Sequence, residues 1–123
     1  MVNPMILIVD DDDALLGCLK EFFEAEGYRV VTAGDGMMAI RMAKESAPSL
    51  ILMDVNMPVF NGLKALEVLR ADPALRRVPV ILLTAEPSGR VYPVIEPMPN
   101  VSHLKKPASL QDVFSLVQHY LAA

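Results

Sequence analysis

The sequence predicts an α/β fold, a doubly wound five-stranded parallel sheet with strand order 2-1-3-4-5. Three observations point there. Short apolar runs alternate with amphipathic stretches in a nearly regular (βα)₅ pattern along 123 residues, the size of one domain. The first, third and fourth runs are apolar on both faces, which suits strands buried between two layers of helices. The stretches between them carry helical periodicity, and right-handed crossovers wind such units onto both faces of one sheet. In this strand order the functional crevice lies at the carboxyl ends of strands 1 and 3, where the order switches.

The first run is Met5-Ile6-Leu7-Ile8-Val9. Four Asp follow, of which Asp13 is the expected helix cap and Asp12 a solvated neighbour. The first helix groups Leu15, Cys18, Leu19, Phe22 and Phe23 on one face, places Lys20, Glu21 and Glu24 elsewhere, and stops at Gly27. Cys18, the single cysteine, reads as a small core residue and excludes an internal disulfide. Residues 29–33 form the second strand, and Asp35 caps a helix with Ala39, Ile40 and Ala43 inward. Residues 50–53 form the third strand, ended by Asp54, and Leu63, Leu66 and Leu69 mark the third helix. Residues 78–83 form the fourth strand, with Thr84 at its end.

The next segment departs from the pattern. It contains Pro87, Pro93, Pro97 and Pro99. Pro87 is tolerable in a first helical turn, but Pro93 and Pro97 would each cost a regular helix about 3 kcal/mol. Residues 88–100 are therefore expected to form one or two helical turns at most, leaving helix 4 of the pattern disrupted or shortened. A weaker strand follows at 101–104. Ser109 caps the last helix, with Leu110, Val113, Phe114, Val117 and Leu121 inward. No repeat, low-complexity tract or linker interrupts the chain, so one domain over 1–123 is expected.

Composition narrows the function. The net charge of −4 disfavours direct nucleic-acid binding, which needs a basic face. No basic amphipathic stretch suits an anionic membrane, and no run approaches spanning length. The first apolar run is too short for a signal peptide, so a cytoplasmic location is expected.

Asp10 to Asp13 follow strand 1 directly and Asp54 ends strand 3, so these carboxylates converge at the switch point. Like charges so close demand protons or a cation, and oxygen ligation with room for water suits Mg²⁺. Four Asp at a helix start can also serve the positive end of the helix alone. Thr84 and Lys106, which end strand 4 and follow strand 5, argue for more, because both face the same crevice. Asn56-Met57-Pro58 adds a tight loop whose backbone carbonyl can also ligate metal. A carboxylate, a hydroxyl, an ammonium and a divalent cation together serve phosphoryl transfer to Asp.

The chain resembles the response regulator receiver domain over nearly its whole length. The matching residues are Ile8-Val9-Asp10-Asp11, Met53-Asp54-Val55-Asn56-Met57-Pro58, Leu83-Thr84-Ala85 and Lys106-Pro107. Their spacing also matches: 43 residues from Asp11 to Asp54, 30 on to Thr84 and 22 on to Lys106. The resemblance implies a flavodoxin-like fold and a phosphoacceptor, Asp54. It implies Asp11, Asp54 and the Asn56 carbonyl as Mg²⁺ ligands, with Asp10 acting through water. Lys106 is then the partner of the acceptor, and Thr84 the switch hydroxyl. The Lys106-Pro107 bond is commonly cis in this family, which would aim the lysine. The implied phosphoryl source is a sensor histidine kinase or a His phosphotransfer protein, and the implied reader is a downstream protein target or output domain. Such a module is not an enzyme in the usual sense, since it catalyses only its own phosphorylation and dephosphorylation. Asn56 and Glu86, with the small Ala85, are similar to the arrangement in chemotaxis regulators and imply a short-lived phosphorylated form.

Two departures concern the reporting machinery. The proline-rich segment is one. His103 is the other, standing where the family usually has Tyr or Phe; Lys105 reads as a solvated neighbour. A rival expectation follows: a receiver-fold binding module that works without phosphorylation, through residues 88–100. A phosphatase of the haloacid dehalogenase type fits less well, since its Asp-x-Asp motif on the first strand is followed by Gly-Thr or similar, whereas the Asp run here continues into Ala14-Leu15, and no cap domain is present. A nucleotide or flavin site fits least, because no Gly-rich loop follows strand 1.

Overall fold

The computed structural model describes residues 3–56, 62–85, 98 and 100–121. In chain order these form β1 (Met5–Val9), α1 (Asp13–Ala25), β2 (Arg29–Ala33), α2 (Gly36–Ser46), β3 (Leu50–Asp54), α3 (Gly62–Ala71), β4 (Val80–Thr84), β5 (Val101–Lys105) and, after β5, α4 (Leu110–Leu121). The five strands form one parallel sheet in the order β2-β1-β3-β4-β5.

Side-chain alternation divides the core into two layers. Leu7, Val9, Ile51, Met53, Val80 and Leu82 point to one face, where Ala39 and Ala43 of α2 and Ala65, Leu66 and Leu69 of α3 cover them. Ile6, Ile8, Leu50, Leu52, Ile81 and Leu83 point to the other, under Leu16, Leu19 and Phe23 of α1 and Val113 and Val117 of α4. Both faces of β3 and β4 are thus dry, and each fully buried Leu or Ile there stabilises the fold by about 1.5–3 kcal/mol. The edge strands β2 and β5 are only partly buried, which explains their mixed composition.

Three expectations need correction. Asp12, not Asp13, is the N-cap of α1: it has extended backbone and its side chain accepts from the amides of Ala14 and Leu15, while Asp13 occupies the first helical turn. Cys18 is exposed, because the inward stripe of α1 is centred on Leu16, Leu19 and Phe23, more than a third of a turn away. Leu110 is 45% exposed, since the packed face of α4 is set by Val113 and Val117 further along. The expected caps Asp35 and Ser109 are in place, accepting from the amides of Met38 and Asp112. β4 begins two residues later than expected and includes Thr84. The four prolines and nearly all of 88–100 lie outside the described residues, as does Glu86. Among the described residues no helix is long and apolar enough to cross a membrane.

Candidate functional site

The register Val9↔Met53 places the residues after it, Asp10 and Asp54, side by side at the carboxyl end of the sheet. Asp10 is held by its own amide, which donates to the Ala33 carbonyl at 3.1 Å, and its Oδ1 accepts from the Asp12 amide at 2.9 Å. Asp54 Oδ1 accepts from the Asn56 amide at 2.9 Å, and the Val55 amide ties the same turn to Leu83 of β4 at 2.8 Å.

Lys106 arrives from the far edge. Its amide donates to the Thr84 carbonyl at 2.8 Å, which continues the β4–β5 ladder past its end. The Lys106-Pro107 bond is cis. Lys106 Nζ lies 3.1 Å from Asp54 Oδ2 and 3.8 Å from Asp10 Oδ2. Asp10 and Asp54 are each only 2% exposed, and Thr84 is fully buried. Carboxylate oxygens of Asp10, Asp11 and Asp54 all lie within 4.8 Å of one another.

Among the described residues the charge balance of this cluster is incomplete. Lys106 offsets one of three carboxylates. Burial pushes the Asp10 carboxyl above its ordinary value; the Asp12 amide opposes this, Asp54 adds to it, Lys106 opposes it and Asp11 adds a little more. Among the described residues Asp10 Oδ2 is buried without a hydrogen-bond partner. A buried carboxylate oxygen left in that state is costly, and a hard cation with its water shell would satisfy it. The donor set, all oxygen and half open through exposed Asp11, fits Mg²⁺.

The expected site residues therefore fall together. Asp10, Asp11, Asp54 and Lys106 share one pocket, and Thr84 lies one residue beyond Leu83, the strand partner of Asp54. Asn56 takes a role that the sequence did not suggest. Its side-chain oxygen accepts from the Ala85 amide at 3.0 Å, so it ties the end of β3 to the residue after Thr84. Gly62 was also missed. Its amide donates to the Val55 carbonyl at 3.1 Å, and a Cβ there would strike the Asp54 carbonyl oxygen and lie 2.9 Å from Val55 Cα. The available signal was a glycine at the start of a helix just after the acceptor loop. His103 pairs with Leu82 in the sheet and is half buried, and Lys105 is exposed as expected.

Comparison with known proteins agrees with this geometry. Residues 6–118 match the response regulator receiver domain. The polar-differentiation response regulator DivK of Brucella anthropi is 30% identical over 116 residues, 94% of each chain. The transcriptional regulatory protein PrrA of Mycobacterium tuberculosis is 40% identical over 88 residues, which are 72% of this chain. The response regulator PleD of Caulobacter vibrioides is 44% identical over 84 residues, 68% of this chain. The chain spans 37% of the length of PrrA and 18% of that of PleD. Among solved structures, the chemotaxis protein CheY4 of Vibrio cholerae superposes with a TM-score of 0.88 at 27% identity, over 97% of this chain and 99% of that one. The receiver domain of the sensor histidine kinase PA1611 of Pseudomonas aeruginosa, which has a magnesium ion coordinated in its active-site cleft, superposes with a TM-score of 0.85 at 29% identity, over 98% and 99%. With sheet order, acidic pocket and sequence in agreement, this chain belongs to the response regulator receiver domain family.

Proposed function

We propose that this domain is a phosphorylation-dependent signalling switch whose acceptor is Asp54. The observation that carries the reading is the contact between Lys106 Nζ and Asp54 Oδ2 at 3.1 Å, beside two further acids. A lone structural ion pair does not need that company.

Asp10, Asp11 and Asp54, with the Asn56 carbonyl, would hold Mg²⁺, which supplies charge neutralisation at the equatorial phosphoryl oxygens when bound. The remaining work falls to the chain. The Asn56 amide and the Lys106 ammonium fix the two oxygens of Asp54, so the carboxylate meets phosphorus in a set orientation. One oxygen attacks phosphorus, and the bond to the donor breaks. Lys106 then exchanges its ion pair with the carboxylate for one with the new phosphoryl group. The Thr84 hydroxyl donates to a phosphoryl oxygen, and movement there passes through the Ala85 amide to Asn56.

The donor class is a sensor histidine kinase or His phosphotransfer protein, and the reader is a downstream protein or an attached output domain. The setting is the cytoplasm, and the domain catalyses its own phosphorylation and dephosphorylation only. Incubation with Mg²⁺ and a small phosphodonor tests the reading by intact mass. The wild type is expected to gain one phosphate and Asp54→Ala none. No gain with any donor would favour the phosphorylation-independent binding module instead.

A further inference from the structure

We propose that the Asn56 side chain is a latch that holds the domain in its unphosphorylated arrangement and opens when Asp54 carries a phosphoryl group. The inference rests on Asp54 being the acceptor, and it makes Asn56 a positioning residue.

A ring of contacts closes around the acceptor. Asp54 Oδ1 accepts from the Asn56 amide at 2.9 Å. The Asn56 side-chain oxygen accepts from the Ala85 amide at 3.0 Å. Ala85 follows Thr84, whose carbonyl accepts from the Lys106 amide at 2.8 Å. Lys106 Nζ returns to Asp54 Oδ2 at 3.1 Å. Thr84 is thereby held on both sides by residues that also hold Asp54. The β3–β4 ladder reaches the Val55 amide and the Leu83 carbonyl, 2.8 Å apart. Beyond that point the Asn56 carboxamide carries the tie on to Ala85.

Magnitudes pick out the link that yields. The contact of Lys106 with Asp54 is charge-assisted, and such bonds are about twice as strong as neutral ones. The bond of Lys106 to Thr84 extends a sheet ladder. The bond of Asn56 to Ala85 joins two neutral groups at an exposed position, and a bond of that kind shifts an equilibrium by a factor of about two to ten. Whichever oxygen of Asp54 bonds to phosphorus, one anchor of the ring changes, since Oδ1 holds the Asn56 amide and Oδ2 holds Lys106. Hydrogen bonds are directional, so a turn of residue 56 or a shift at Lys106 breaks the weakest link. Thr84 and Ala85 can then move towards the new group. While the latch is closed, the arrangement that receives a phosphoryl group is a minor population, and its apparent affinity falls by that fraction.

The test combines amide exchange with binding of beryllofluoride, a mimic of a phosphoryl group on a carboxylate, at saturating Mg²⁺. Before ligand is added, hydrogen exchange of the Ala85 amide, read by NMR, is expected to be about two- to tenfold faster in Asn56→Ala and Asn56→Leu than in wild type. Asn56→Asp keeps an acceptor oxygen and is expected to retain the protection. By calorimetry, the alanine and leucine variants are expected to bind beryllofluoride about two- to tenfold more tightly than wild type, since no latch has to open. Asn56→Leu keeps the bulk of asparagine and removes its acceptor. A rise in affinity confined to Asn56→Ala therefore assigns the effect to size and overturns the proposal. So does Ala85 exchange that responds to neither substitution. Faster exchange with equal or weaker affinity leaves a structural tie with no bearing on switching, which also overturns it. A wild type that binds no beryllofluoride defeats the acceptor reading itself, and the latch falls with it.

Discussion

Asp10 follows β1, with one carboxylate oxygen bonded to the Asp12 amide and the other buried, 3.8 Å from Lys106 Nζ and, among the described residues, without a hydrogen-bond partner. Its folded-state pKa therefore lies above the ordinary 3.8. The sign follows directly: the fold favours protonated Asp10, so its contribution to stability is full below the ordinary value and is lost as pH rises through the folded one. In the metal-free protein, Asp10→Asn is expected to remove that loss. The variant should melt higher than wild type at pH 7, by about 4 °C for each kcal/mol recovered, and the gap should close on acidification. A variant that melts at or below wild type at pH 7 without metal would show that the carboxylate is not the strained group. At this scale the sequence was informative where separate stretches had to meet: no bland role explains Asp54, Thr84 and Lys106 at those spacings. It was uninformative between neighbours. Asp12 and Asp13 are chemically identical, and only the backbone decides which one caps: Asp12 has φ −92° and ψ 104°, outside the helical region.

Helix α3 begins by resting on the backbone of the acceptor turn, and Gly62 makes that approach feasible. A methyl group there has nowhere to go, because its neighbours are main-chain atoms of Asp54 and Val55 rather than flexible side chains. Gly62→Ala is expected to cost about 1–3 kcal/mol in denaturant unfolding, as overpacking does, and to slow phosphorylation of the folded fraction by displacing Asp54. Gly17 supplies the control. It lies within α1, and an added Cβ meets nothing within 4 Å; Gly17→Ala should stabilise by about 0.5–1 kcal/mol. Equal effects at the two positions would show that the Asp54 backbone is not under contact. The contrast shows what periodicity reads and what it does not. Helical spacing located α1 to α4, yet it placed the inward stripe of α1 through Cys18 instead of Leu16. Several apolar residues flanked the true stripe, and only the packed sheet discriminates among them. A glycine needed for close approach leaves no periodic trace at all.

Across the whole molecule, the sheet order accounts for both what is rigid and where the chemistry sits. β1, β3 and β4 are central, and β3 and β4 are dry on both faces, so their apolar runs announced them. β5 is an edge strand, half buried from Val101 to Leu104 and exposed at Lys105, and its weak pattern reflects that place. The same order brings the ends of β1 and β3 together and concentrates three acids there. The metal-free fold therefore carries a local repulsion that its apolar core must outweigh, and a divalent cation bound there would relieve it. Any ligand of the native state alone stabilises it by mass action, by about 2.7 kcal/mol at one hundred times its Kd. Mg²⁺ at that excess is expected to raise the Tm of wild type by about 10 °C for a domain of this size. Asp11→Asn should lose most of that rise while changing the metal-free Tm little, since Asp11 is exposed and no packing depends on it. A titration by differential scanning fluorimetry decides the matter. If Mg²⁺ raises both proteins equally, the ion binds elsewhere and the three carboxylates do not form its site.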